Sequence, residues 1–168
     1  MIRRFAQLAM VLCLMSMLCD VKAQDSAPQR TAPLREVKSI QVEPTVVPKP
    51  ETVKDASAPN LVQDSLRNAV RAANIEIADS APVRAHIVLN EFTSGSTAKR
   101  FMVGFGAGRS TVDCQLVVQD AAGKELSNVR IRVRGNLAFS PYQGNNTQRR
   151  QAVNSFDQRL LEEIEKMK

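Results

Sequence analysis

Histidine occurs once in this chain, at His86, and that scarcity removes whole classes of chemistry. A zinc site draws its ligands from several histidines and cysteines; there is no second histidine, and Cys114 is too solitary to complete a set. A Ser-His-Asp assembly would have to be built on His86 alone, and no serine sits in the strand-turn-helix setting of a nucleophile elbow. A lone histidine on a strand beside Arg84 reads as structural or surface. Gly-Lys-Ser/Thr, the ending of a phosphate-binding loop, is absent, and carboxylates are scattered rather than paired. Catalytic, metal and cofactor residues are therefore all expected to be none, and the expectation is a protein that is not an enzyme.

Cysteine is also scarce. Of three, Cys13 and Cys19 lie near the start, leaving Cys114 alone in the body of the chain. One thiol cannot close an internal disulfide, so the fold must stand on its core. Cys114 alternates with Val112, Leu116 and Val118, which favours a small buried hydrophobe. A redox-active or intermolecular thiol would instead need exposure and a cationic neighbour. Internal repeats and low-complexity tracts are missing as well. The longest apolar run, Phe5 to Leu18, is broken by Gln7 and Ser16 and falls short of the roughly 20 residues of a spanning helix.

That run carries a message of its own. Arg3 and Arg4 precede it, and Val21-Lys22-Ala23 follows, small or short at the two positions a signal peptidase reads. Residues 1–23 are expected to be a secretory signal cleaved before Gln24, and the protein to be periplasmic or secreted. Cys19 opens an alternative, a lipoprotein anchored in the membrane through that residue. Leu18 stands where lipidation expects a small residue, which favours cleavage after Ala23. Residues 24–35 read as a flexible linker with Pro28 and Pro33, and 36–168 as one domain. Lys and Arg number 23 against 17 Asp and Glu, a mild excess that does not indicate nucleic-acid binding. Anionic lipid or cell-wall polymer suits it equally well.

Along the domain, alternation places a strand at Val37–Val42, followed by an extended stretch broken by Pro44, Pro48 and Pro50. Asn60 is the expected cap of a helix over about Leu61–Ala73, with Asn74 as its stop. Ile75 and Ile77 suggest a short strand. Longer strands follow at Val83–Phe92, Ser110–Asp120 and Val129–Arg134, the last two joined by a hairpin at Asp120–Lys124. Residues 135–149 read as a polar loop. Val153, Phe156, Leu160, Ile164 and Met167 then mark a terminal helix. The sum is an α+β two-layer sandwich: a mostly antiparallel sheet of four to five strands with two amphipathic helices.

Two segments are candidates for contact. In the first, Gly104, Gly106 and Gly108 alternate between Lys99, Arg100 and Arg109. A nucleotide cradle would need a helix after the glycines, whereas a strand follows. Alternating glycines let another backbone approach, or permit a bulge. Alternatively Phe101, Met102, Val103 and Phe105, exposed beside the cations, would form a partner-docking loop. In the second, Arg130, Arg132 and Arg134 share one side of a strand. They read either as a charged sheet face guarding against aggregation or as a contact for an anionic surface.

The strings Gly95-Ser96-x-x-x-Arg100, Val103-Gly104-Phe105-Gly106-Ala107-Gly108 and Asp120-x-x-Gly123-Lys124-x-Leu126 resemble a bacterial exported family, domain of unknown function 4410. The resemblance spans about Val37 to Leu161. It implies a small periplasmic protein or lipoprotein of a Gram-negative bacterium and brings no activity with it. The chain departs from the family in its polar Gln143-Gly144-Asn145-Asn146 segment and in lacking a good lipidation site. The expected function is an exported, non-enzymatic binding or accessory protein of the bacterial cell envelope. The alternative is an outer-membrane-tethered lipoprotein subunit of an envelope transport or secretion assembly. Partners are expected to be an envelope protein or membrane surface, with no nucleic acid and no cofactor; the oligomeric state is left open.

Overall fold

Alternation along the strands sends one set of side chains inward and the other outward, and the helices cover only the inward set. The computed structural model describes residues 32–94, 109–135 and 145–168. The expected signal of residues 1–23 and most of the glycine-rich segment lie outside these residues. The elements run β1 (Ser39–Val42), a 3₁₀ turn (Pro50–Thr52), α1 (Ala58–Ala72), β2 (Glu76–Ile77), β3 (Val83–Ser94), β4 (Ser110–Asp120), β5 (Glu125–Arg134) and α2 (Asn145–Lys166). The strands form one sheet in the order β2-β1-β3-β4-β5. β1 pairs in parallel with both β2 and β3, whereas β3, β4 and β5 pair antiparallel. The fold is α+β with a mostly antiparallel sheet.

The inward face carries Ala85, Ile87 and Leu89 of β3, Val112, Cys114, Leu116 and Val118 of β4, and Ile131 and Val133 of β5, all buried. Against it pack Val62, Leu66, Ala69 and Val70 of α1 and Ala152, Phe156, Leu160 and Ile164 of α2. Leu34, within the stretch read as linker, is 2% exposed, and its N–H donates to the Met167 carbonyl at 2.8 Å. Core packing therefore reaches back before residue 36.

α1 starts at Ala58 rather than after Asn60. Pro59 fits the first turn, where its missing N–H costs nothing. Asp55 Oδ1 accepts both the Ser57 N–H at 2.9 Å and its hydroxyl at 2.6 Å, so Asp55 orders the entry and Asn60 is an ordinary helical residue. The stop at Asn74 is as expected. Asn74 has φ 57°, and the Ile75 N–H reaches Val70 O while the Asn74 N–H reaches Arg71 O, the paired bonds of a Schellman ending. The expected hairpin also forms: Gly123 takes φ 82°, and Asp120 Oδ1 accepts the N–H groups of Ala122 and Lys124 at 2.9 Å.

α2 begins at Asn145, inside the stretch read as loop. The reason is Gln148, which is 1% exposed and occupies the stripe continued by Ala152, Phe156, Leu160 and Ile164. A polar side chain at an interior position hid the first two turns from the apolar pattern.

Phe156 is fully buried between the helix and the sheet. Replacing it with alanine is expected to lower unfolding free energy by about 3–5 kcal/mol in chemical denaturation, the range for an emptied aromatic site.

Candidate functional site

The sheet face away from the helices is a patterned polar surface. In register across β3, β4 and β5 lie Thr93, Thr111 and Arg134; then Glu91, Asp113 and Arg132; then Val88, Gln115 and Arg130; then His86, Val117 and Asn128. The bond from the Gly135 N–H to Ser110 O, 2.8 Å, sets the phase of the β4–β5 ladder. Val133, Ile131 and Val129 then exchange hydrogen bonds with β4. Arg134, Arg132 and Arg130 stand in the non-bonded pairs, where facing side chains come closest.

Asp113 is the centre of this surface. Its side chain is only 4% exposed although neither helix of the described residues covers it. Arg130 donates from Nε to Oδ1 at 2.9 Å and from Nη2 to Oδ2 at 2.7 Å, a two-pronged grip. Arg132 Nε lies 3.4 Å from Oδ2, and its Nη2 lies 3.9 Å from Glu91 Oε2. The hydrogen bonds from Arg130 hold the Asp113 carboxyl below its ordinary value; burial opposes this, and the charges of Arg130 and Arg132 add to it. Arg130 and Arg132 remain 63% and 45% exposed in their side chains, so each guanidinium also faces solvent.

A second group lies across the same face, where Glu43 is 3.6 Å from Arg84 Nη1 and 3.5 Å from His86 Nδ1. Surface hollows among the described residues include these two. One, about 560 Å³, lies at the start of β1 near Arg35, Lys38 and Pro82; the other, about 300 Å³, lies between the helices at Leu61, Arg149, Arg150 and Val153. His86 lines neither of these hollows. Among the described residues no three His, Cys, Asp or Glu side chains converge as a metal set, and no helix is long and apolar enough to cross a membrane.

Of the residues singled out from sequence, Arg130 and Arg132 are brought together on Asp113. Arg134 sits exposed at the end of the stripe. Arg109 is exposed beside the start of β4, its carbonyl accepting from Thr93 Oγ1 at 3.4 Å. Lys99, Arg100, Phe101, Gly104, Phe105, Gly106 and Gly108 lie outside the described residues. Cys114 is fully buried, facing Leu89 and Ile131 on the neighbouring strands. Burial, reinforced by the charge of Asp113, pushes its thiol up to about 12, so it stays protonated and packs as a small hydrophobe.

Sequence reasoning missed Asp113, which sits between Val112 and Cys114 in a strand of alternating polar and apolar residues. It also missed Arg149, which lies 2.8 Å from Asp55, donates to Ser57 Oγ at 3.0 Å and sits 5.9 Å over the Phe92 ring. An acid on the polar side of a strand that a hairpin joins to alternating arginines was the available signal for the first. The second had none, since its partners lie far away in sequence.

The family described as Domain of unknown function (DUF4410) matches residues 32–137. The chain belongs to this family. No curated protein matches it. The fold is similar to the PelC dodecamer from Paraburkholderia phytofirmans, at 13% identity and a TM-score of 0.53, covering 74% of this chain and 86% of that one. It is similar also to protein XCC0632 from Xanthomonas campestris, of the family DUF330, at 9% identity and a TM-score of 0.53, covering 82% and 85%. At these identities the likeness concerns the fold.

Two outcomes follow from this DUF4410 chain's site. Because the folded value of Asp113 is depressed, its contribution to stability is complete above the ordinary aspartate range near pH 4 and is lost as pH falls through the folded value. Asp113→Asn is therefore expected to cost about 1–3 kcal/mol at pH 7. The gap should narrow as urea melts are taken down toward pH 2; a gap independent of pH would show that the charge is not what Arg130 holds. Cys114 is expected to resist a thiol reagent in the native protein and to react fully once urea unfolds it, read by absorbance of the released chromophore.

Proposed function

We propose that this protein is an exported, non-enzymatic binding or accessory module of the bacterial cell envelope that works as an assembly of several copies. The observation that carries the reading is the sheet face left bare by both helices, with Asp113 fixing Arg130 and Arg132 in place on it. Such a surface is organised in advance for contact, because its arginines spend less freedom on docking than free side chains would. The charged start and apolar run of residues 3–18, ending at Val21-Lys22-Ala23, support export. The dodecameric state of the PelC structure supports self-assembly as the way such a fold is used. The family brings no activity that argues for catalysis, and His86 faces Glu43 on the sheet surface rather than lining either hollow.

The test is the mature N-terminus. Intact-mass spectrometry of the protein recovered from fractionated Gram-negative cells is expected to show a chain beginning at Gln24 in the periplasmic fraction. A diacylglyceryl Cys19 would replace the free module with the tethered one, and an intact Met1 in the cytoplasm would overturn export.

A further inference from the structure

Residues that pair on only one side leave the other side of a sheet open, and this sheet ends in two edges of opposite charge. At one end is β5. Since Val133, Ile131 and Val129 exchange their bonds with β4, the N–H and C=O groups of Arg134, Arg132 and Arg130 point away from the sheet, and among the described residues nothing pairs with them. Their side chains all lie on the bare face and are exposed. At the other end is β2. There the Glu76 N–H donates to Lys38 O at 3.0 Å and the Ala78 N–H to Ile40 O at 3.1 Å, which turns the N–H and C=O of Ile77 outward. Ile77 packs toward the core, so Glu76 projects on the opposite face, the same one that carries the arginines, and Glu76 and Asp79 are both exposed.

We infer that β5 of one copy adds to β2 of the next, joining the basic edge to the acidic one and continuing the sheet from copy to copy. The inference rests on the self-assembly reading above and names its interface. β2 and β5 run in the same direction, because β1 is parallel to its two neighbours and two antiparallel steps restore that direction at β5. A head-to-tail contact thus makes a parallel pair, with Arg130, Arg132 and Arg134 along one strand and Glu76 and Asp79 along the other. The symmetric alternative, β5 against β5, stacks arginines against arginines and is disfavoured by like charge. Head-to-tail contact is heterologous, and it closes into a ring when the rotation per copy divides a full turn. Outward backbone groups supply the hydrogen bonds of strand addition, and the charges select which edge is used.

The experiment uses charge reversal on the chain as the cell processes it, with size read by sedimentation velocity. Arg134 is chosen because it makes no contact with Asp113. Arg134→Glu alone and Glu76→Arg alone are each expected to weaken assembly about tenfold or more, like charges then facing each other across the contact. The double reversal in one chain, and an equimolar mixture of the two single variants, are expected to regain the wild-type size. A wild-type protein that is monomeric at every concentration overturns self-assembly and this interface together. A wild-type oligomer untouched by either reversal overturns the interface alone and leaves self-assembly standing. Single variants that dissociate without recovery in the double reversal overturn the charge pairing. Circular dichroism of each variant establishes that dissociation is not unfolding.

Discussion

The two helices of the described residues both lie on one face of the five-stranded sheet and leave the other uncovered by either. The rest of the structure answers that constraint. β4 is flanked by strands on both sides, and Thr111, Asp113 and Val117, on the face that neither helix covers, are buried all the same. An ionised carboxylate taken out of water is costly unless its lone pairs are met. The flanking strand meets them with arginine, whose planar fork supplies two donors at once and whose stem spreads over the sheet. An arginine stripe on β5 is therefore bound up with an acid on β4. Lysine at 130 would supply the charge without the paired geometry.

The same constraint separates the two flanks of the sheet. On the β1 side the chain continues past Val42 as a proline-rich run that touches β3 through Val46 opposite Val88 and Val53 opposite Phe92. Pro44, Pro48 and Pro50 have no N–H to present, so this run lies beside β3 without offering a full ladder to anything else. β5 carries no proline. Its outward backbone groups are intact, and among the described residues arginine alone guards it. A charged guard is selective where a proline guard is absolute: it repels a like edge and admits an acidic one. The edges are thus chemically distinct, which is the condition for head-to-tail rather than symmetric pairing.

Much of this was readable in the amino-acid sequence. The β4 boundaries, the Asp120–Lys124 hairpin and the stop at Asn74 follow from local rules, since alternation, turn chemistry and left-handed backbone act over a few residues. Starts were harder. Asn60 looked like a cap because Asp55, which orders the entry to α1, stands three residues before the helix begins. The early turns of α2 were missed because burial of Gln148 is a tertiary fact. For the site, the arginine stripe was visible as a pattern, but which acid it serves depends on register. Asp113 faces Arg132 across the ladder and reaches Arg130 diagonally, and a shift of one residue would have sent it to the opposite face.

The start of α2 shows how distant residues settle what local preference leaves open. Among the described residues, Gln148 has neither end of its amide hydrogen-bonded, a burial that costs on the order of 1–3 kcal/mol. It lies where β4 begins and β5 ends, its backbone carbonyl oxygen 3.4 Å from where a side chain on Gly135 would start, so helix and sheet are in close contact there. Asn145, Asn146 and Thr147 are poor helix formers, yet the helix begins with them. Arg149 supplies the reason: one guanidinium joins α2 to Asp55, Ser57 and the Phe92 ring, three contacts contributed by the entry to α1 and by β3. Asp55 in turn has its carboxyl held below the ordinary range, first by the Ser57 hydroxyl and further by the Arg149 charge, so it remains an anion for Arg149 to grip. The helix layer is thus locked by one arginine while the bare face is organised by another, and the two share no residue. Substitution of Arg134, which does not hold Asp113, can therefore retune the outer face and leave the helix layer undisturbed, whereas Arg130 and Arg132 also balance a buried carboxylate.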